Sequence, residues 1–252
     1  MLFNLPELIE LAWDTEQLGY RCGIIRFSKP EVAPIDTLCR NLERLLCNAF
    51  RYGYRFVTLK VSAEWQAVCH ACQMFGGILV DSEMTFRKNR KVTDYQGAVG
   101  GVTVEKHTTF WDDSFLAIPD TLQNSRFFSD RNIGKDAARK LWTQSIINSC
   151  NGRASYSIIG FFEGTPVGLV NVFEGDGISN IFLIAVIPQF QGRGIGKSMV
   201  SYYEQNLDNI IVEQIVETQI VNFGAQKLYT SFGYTHVFAK HVFHFWSDLP
   251  RN

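Results

Sequence analysis

The sequence predicts an α/β (α+β) fold: a mixed, mainly antiparallel sheet with helices, preceded by a smaller α/β lobe. Three observations predict it. Two turn signals, Glu163-Gly164-Thr165 and Glu174-Gly175-Asp176-Gly177, separate apolar runs as in an antiparallel meander. Three alternating glycines, Gly192, Gly194 and Gly196, stand between an apolar strand and a helical stretch. A shift of 157 residues lays Phe75-Gly76 on Phe232-Gly233, so the early chain repeats the end of the later chain.

The elements follow in order. Tyr20 to Phe27 is rich in aromatic and β-branched residues and reads as a strand. Over Pro34 to Tyr52, Ile35, Leu38, Leu42, Leu45 and Ala49 fall at helical spacing. Arg55 to Ser62 is a strand, with Val57, Leu59 and Val61 alternating with Thr58, Lys60 and Ser62. A helix from near Ala63 to Met74 and a strand from Gly77 to about Phe86 complete the first lobe. Arg87 to Gly101 has no apolar period and reads as a linker, dividing a lobe over 1–95 from a domain over 100–252. In the second domain Val102 to Lys106 is a strand, and Thr121 to Ser149 holds two helical segments broken at Asp130 to Gly134. Strands at Ser155 to Phe162, Pro166 to Glu174 and Asn180 to Ile187 form the meander. A helix to about Gln205, a strand at Ile210 to Thr218, a helix at Phe223 to Thr230 and strand material to Trp246 close the chain.

In the repeat, Leu59 pairs with Val216, Val61 with Thr218, Ala71 with Leu228, Val80 with Val237 and Phe86 with Phe243. The first copy has no glycine loop. Where the second copy holds Asn222 and Tyr229 it holds Trp65 and Cys72, so it is expected to keep the fold and lack the site.

Composition bounds the function. With 46% apolar and 19% charged residues the chain can bury an ordinary core. Lys and Arg number 24 against 25 Asp and Glu, which leaves no electrostatic footprint for nucleic acid or an anionic membrane. Met1 to Asp14 carries Glu7, Glu10 and Asp14 and no basic residue, unlike a secretory leader. No apolar run reaches the ~18 residues of a membrane span, so a cytoplasmic protein is expected. Six cysteines at that address are expected to be reduced thiols. Cys69-His70-Ala71-Cys72 lacks the second pair that a zinc site needs and lies inside a helical stretch, so no metal is expected.

The stretch Ile184 to Ser198 carries the most chemistry. Glycines at a helix start let backbone N–H groups converge where the helix dipole is positive, which suits a phosphate or pyrophosphate. The spacing G-x-G-x-G is not the dinucleotide G-x-G-x-x-G. Gly196-Lys197-Ser198 matches the end of a phosphate-binding Walker loop, but that loop's first glycine would fall on Gln191. Gln191, Gly194 and Gly196 do match Q/R-x-x-G-x-G/A, which binds the pyrophosphate of coenzyme A.

At these residues the sequence resembles the GNAT superfamily of N-acetyltransferases, over about Val102 to Trp246. The strand Phe182 to Ile187, the loop Gln191 to Gly196 and Asn222…Ala225…Tyr229…Gly233-Tyr234 occur in that family's order. Ala12 to Tyr20 and Asn124 to Asp130 are further similar to the TDP-fucosamine acetyltransferase type, bacterial acyltransferases of TDP-linked amino sugars with a small N-terminal α/β lobe.

The resemblance implies an acyl-CoA co-substrate, with acetyl-CoA as default donor and a 3-hydroxyacyl-CoA as alternative. It implies a strand Phe182 to Ile187 that splays from its neighbour, with the pantetheine arm pairing to main chain of Ile184, Ala185 and Val186. Gln191, Gly192, Arg193, Gly194, Ile195, Gly196 and Lys197 would hold the phosphates and Asn222 the arm. The Val186 N–H would polarise the thioester carbonyl. Tyr229 would protonate the departing thiolate, because a phenol near pKa ~10 is matched to a thiol. No acid stands in the strand where many relatives place a base; Glu217 and His241 are candidates, or water takes the proton. For the acceptor, Arg126 suits a sugar-nucleotide pyrophosphate, with Phe127 and Phe128 as stacking walls. The expected acceptor is a TDP-linked amino-6-deoxy sugar of surface-polysaccharide synthesis. A protein or small-amine acetyltransferase and a non-catalytic nucleotide-binding module are the alternatives. A homodimer is left open beside a monomer.

Overall fold

The computed structural model describes residues 6–27, 34–89 and 100–248. In chain order β1 (Glu7–Glu10), α1 (Ala12–Leu18) and β2 (Cys22–Arg26) precede α2 (Ile35–Arg51). β3 (Phe56–Ser62), α3 (Gln66–Met74) and β4 (Ile78–Asn89) follow. After β5 (Val102–His107) come a 3-10 stretch (Asp113–Thr121), α4 (Arg126–Ser129) and α5 (Lys135–Asn148). The meander is β6 (Tyr156–Phe162), β7 (Thr165–Gly175) and β8 (Ile178–Val186). A 3-10 turn (Pro188–Phe190) leads to α6 (Ile195–Gln205), then β9 (Glu213–Gln219), α7 (Phe223–Ser231) and β10 (Thr235–Trp246). The expected elements are all present, and β1, α1 and the 3-10 stretch at Asp113–Thr121 add to them. Most of the expected linker, 90–99, lies outside the described residues.

The meander turns are two-residue loops with both residues at positive φ: Glu163 and Gly164 at 49° and 80°, Asp176 and Gly177 at 52° and 77°. That backbone matches the twist of the flanking strands, and the glycine adopts it without Cβ strain.

The chain divides into two compact units. One comprises Met1–Met84, Asn124–Leu141 and Phe238–Asn252, the other Thr85–Gln123 and Trp142–Val237. In the first, β1 pairs antiparallel with β2, β2 parallel with β3, and β3 antiparallel with β10. Its core joins Leu38, Leu42, Leu46 and Ala49 of α2 to Val57, Leu59 and Val61 of β3 and to Phe243 and Phe245 of β10. That unit is therefore no contiguous segment: its sheet needs the last strand of the chain. Within it, buried Asp130 accepts hydrogen bonds from His244 Nδ1 at 2.7 Å and Trp246 Nε1 at 3.0 Å. Cys69 and Cys72 sit on α3, the second buried, and burial pushes both thiols up.

The sequence repeat is a structural one. Moved on by 157 residues, the first and last residues of β3, α3 and β4 fall on those of β9, α7 and β10. Both copies close the helix with a left-handed glycine, Gly76 at φ 76° and Gly233 at φ 81°. Both also tie the following residue back to the helix: Gly77 N–H to the Cys72 carbonyl at 2.8 Å, Tyr234 N–H to the Tyr229 carbonyl at 3.1 Å.

In the second unit α6 buries Ile195, Met199, Val200 and Tyr203 against the meander. Gly160 and Gly168 permit the close approach. A Cβ on Gly160 would lie 2.9 Å from Met199 Sδ, and one on Gly168 3.0 Å from Met199 Cε. Seating α6 in this way brings its N-terminus to the end of β8.

Candidate active site

β8 pairs with β9 in parallel from Ile178–Glu213 to Ile181–Val216, and the register ends there. On its other edge β8 continues along β7 to Val186. Among the described residues, Phe182 to Val186 therefore has no strand partner on the β9 side. Ile187 donates its N–H to the Val167 carbonyl at 2.9 Å, which makes Gly168–Val186 a non-hydrogen-bonded pair. The N–H and carbonyl of Val186 accordingly point away from β7. The carbonyl accepts from Gln191 Nε2 at 3.0 Å, leaving the N–H as the unspent main-chain group.

A cleft of about 380 Å³ opens here, lined by Ile184, Ala185 and Val186, by the glycine loop, and by Asn222, Ala225 and Leu228. Gly192 and Gly194 hold φ of 77° and 78°, in the left-handed region that glycine adopts at little cost. Gly194 is the N-cap of α6, and no side chain caps that helix. Its first-turn N–H groups are free of intrahelical partners and carry the positive end of the dipole. Arg193 lies at the loop, its guanidinium 5.2 Å from the ring centres of Phe162 and Phe190. Gly196 stands with a future Cβ 4.0 Å from Leu228, so α7 is its nearest neighbour. Such a place takes a chain of phosphates on its loop and an extended polar arm along the open edge of β8.

Residues 120–234 match the family model described as the Acetyltransferase (GNAT) family. The matched stretch, less than half of the chain, is similar to a GNAT acetyltransferase domain. Among curated proteins it is similar to the spore coat polysaccharide biosynthesis protein SpsD of Bacillus subtilis (strain 168), 27% identical over 128 residues. That stretch is 50% of this chain and 44% of SpsD, less than half the relative's length. Among solved structures it resembles a conserved protein of unknown function from Staphylococcus epidermidis, TM-score 0.63 at 14% identity, covering 92% of this chain and 87% of the other. A GCN5-related N-acetyltransferase from Sphaerobacter thermophilus gives 0.59 at 12% identity, over 96% and 77%. The tandem GNAT protein of the clavulanic acid pathway gives 0.57 at 10%, over 91% and 76%. At such identities the likeness is one of fold, and it extends over both compact units.

In the matched stretch the expected cofactor residues converge: Ile184, Ala185, Val186, Gln191, Gly192, Gly194, Ile195, Gly196 and Asn222 line one cleft. Arg193 and Lys197 are exposed beside it on the loop and the first turn of α6. Asn222 caps α7, its Oδ1 accepting the Ala225 N–H at 3.2 Å, so its amide NH2 is what it can offer an arm. Tyr229 neighbours the lining residue Leu228 in sequence but is itself 2% exposed, packed on Phe86 and Tyr234 at 5.9 and 6.1 Å between ring centres. Burial alone pushes its phenol well up, so it holds its proton firmly.

Arg126, Phe127 and Phe128 belong to α4 in the first unit and do not line the cleft. Arg126 donates to Thr58 Oγ1 at 3.1 Å and lies over the Phe127 ring at 4.3 Å. Of the base candidates, Glu217 accepts from Thr85 Oγ1 at 2.9 Å, and His241 Nδ1 shares a hydrogen bond with Ser82 at 2.9 Å. Sequence reasoning missed Thr121, Leu122, Phe190 and Gly224, which also line the cleft. The first two end a 3-10 stretch with no periodicity to find. Among the described residues no cluster of His, Cys, Asp or Glu is placed to hold a metal, and no helix is long and apolar enough to cross a membrane.

Proposed function

We propose that this chain is an acyl-CoA-dependent N-acyltransferase acting on the amino group of a TDP-linked 4-amino- or 3-amino-6-deoxyhexose, for surface-polysaccharide synthesis. The observation that carries the transferase reading is the open edge of β8 ending in a glycine-capped, positively polarised helix start. The sugar acceptor is supported by the likeness to SpsD, a polysaccharide biosynthesis protein.

Acyl-CoA supplies the thioester. The first-turn N–H groups of α6, with Arg193 and Lys197, hold its phosphates. The Val186 N–H, unspent on β7, donates to the thioester oxygen and stabilises the oxyanion as the amine attacks. Tyr229 is the candidate donor of a proton to the departing thiolate on its place in the motif, although burial raises its phenol above the ~10 that would match a thiol. No carboxylate stands on the Phe182 to Val186 edge, so water takes the proton from the amine, which on a sugar is a weaker base than an alkyl amine.

The test is incubation with acetyl-CoA, or a 3-hydroxyacyl-CoA, and a panel of TDP-amino sugars, with thiol release as readout. Turnover with one of these and not with peptides or simple amines is the expected result. Turnover only with peptides or polyamines would overturn the acceptor assignment.

A further inference from the structure

Arg153 stands at the end of the turn that follows α5, its guanidinium carbon 5.7 Å from the ring centre of Phe173 and 5.5 Å from that of Phe182. The two rings meet edge to face at 5.5 Å and 76°. Phe182 is 37% exposed, Arg153 and Asn180 are exposed, and Arg153 makes no ion pair or hydrogen bond among the described residues. The β7–β8 register slips between Asn171–Leu183 and Val172–Ile181, so Phe182 is the extra residue of a β-bulge. Bulges re-aim a side chain and occur beside active sites. The bulge shifts the two-residue period: Asn180 pairs with Phe173 and Phe182 meets that ring, whereas Ile184 and Val186, which line the acyl cleft, pair with Val170 and Gly168 on the other face, and the open edge of β8 runs between the two faces. From Val186 to Phe182 is four strand residues, about 13 Å.

Resting on the sugar-nucleotide reading above, we propose that Arg153, Phe173, Phe182 and Asn180 bind the nucleoside diphosphate portion of the acceptor. A guanidinium lying on aromatic faces is held in place by them and keeps its N–H edge outward, the geometry that takes two phosphate oxygens at once. The exposed Phe182 ring offers a face to the base or deoxyribose, and the Asn180 amide offers donor and acceptor to the base edge. The spacing along β8 leaves room for the hexose between this platform and the Val186 N–H, with its amine toward the cleft. The platform would explain how a transferase selects a nucleotide-linked amino sugar over the free sugar.

The experiment compares the full-length protein with Arg153→Ala, Arg153→Lys and Phe182→Ala, all exposed positions whose replacement leaves the core intact. Calorimetry with TDP as probe should show binding weakened by about ten- to a hundredfold in Arg153→Ala, because a charge-assisted pair is lost. Arg153→Lys should recover only part, since an ammonium cannot fork. KM for a TDP-amino sugar should rise with it, while KM for acyl-CoA and turnover on a free amino sugar stay put. TDP binding that Arg153→Ala abolishes supports the platform even if no amino sugar in the panel turns over. Transfer to a TDP-amino sugar at wild-type KM in both alanine variants overturns the platform and leaves the transferase function standing. A wild-type protein that neither binds TDP nor transfers to any sugar nucleotide overturns both. If Phe182→Ala instead changes the oligomeric state in light scattering while TDP affinity holds, the surface belongs to a second copy and the platform is overturned.

Discussion

Gln191 donates its side-chain amide to the main-chain carbonyl of Val186 at 3.0 Å. This one bond joins the glycine loop to the end of the open strand. It also fills the acceptor half of the Val186 peptide group and leaves the donor half to a ligand. Gln191→Leu should therefore loosen loop and strand together. KM for acyl-CoA should rise by about fivefold to tenfold, the loss expected for one neutral hydrogen bond near 1 kcal/mol. Steady-state kinetics with the donor varied is the check; an unchanged KM would detach Gln191 from donor binding.

Gly194 at φ 78° is the second point of test. Gly194→Val places a β-branched side chain in the left-handed region and over the approach to the α6 N-terminus. CoA affinity should fall by at least tenfold with the circular dichroism spectrum retained. Gly164→Ala is the matched control for strain, a left-handed glycine at φ 80° in a meander turn that does not line the cleft. Equal CoA affinity in Gly194→Val and wild type would remove the anion from this loop.

Tyr229→Phe keeps the ring packed on Phe86 and Tyr234 and removes only the hydroxyl. Turnover should fall by ~10²–10⁴, the usual worth of general acid catalysis, with acyl-CoA affinity unchanged. A loss below about threefold would assign Tyr229 to packing.

His244 is fully buried against Asp130, and burial, with Arg126 and Lys60 nearby, outweighs that carboxylate and brings its imidazole down to about 4 from an ordinary 6.5. The unfolded chain takes up a proton near pH 6.5 that the folded chain refuses until about 4. Stability from this group is thus whole above about pH 6.5 and is lost as pH falls through that window, by about 2 kcal/mol at pH 5. Asp81, held up at about 6 by burial and Glu83, works in the opposite direction from 3.8 to 6. His244→Asn, which can still donate to Asp130, isolates the histidine. Denaturant melts should show a wild-type advantage at pH 7.5 that shrinks toward pH 5. A constant difference across that range would mean that His244 does not titrate between the folded and unfolded chains as proposed.

A chain cut to begin at Gly100 should be insoluble or unstable. It retains β10 but not β3, so Val242, Phe243 and Phe245, each at most 1% exposed, lose the strand they pair with, and Phe243 and Phe245 also lose the α2 core they pack in. Expression of 100–252 in soluble, cooperatively melting form would show that β10 does not depend on the N-terminal lobe.

The glycine loop, the meander turns and the repeat were all legible in the chain. Each rests on local backbone geometry, because left-handed glycines and a two-residue period leave residue-level marks. Gly192, Gly194, Gly76 and Gly233 could thus be placed before any fold was known, and the 157-residue shift survives as matched element bounds. The parting of β8 from β9 after Ile181, the direction of the Val186 N–H and the bulge at Phe182 were decided only by tertiary structure. So were the burial of Tyr229, the membership of Arg126 in the first unit, and the dependence of that unit on β10. These depend on which strands meet, in what register, across long stretches of chain, and a linear pattern carries no record of that pairing.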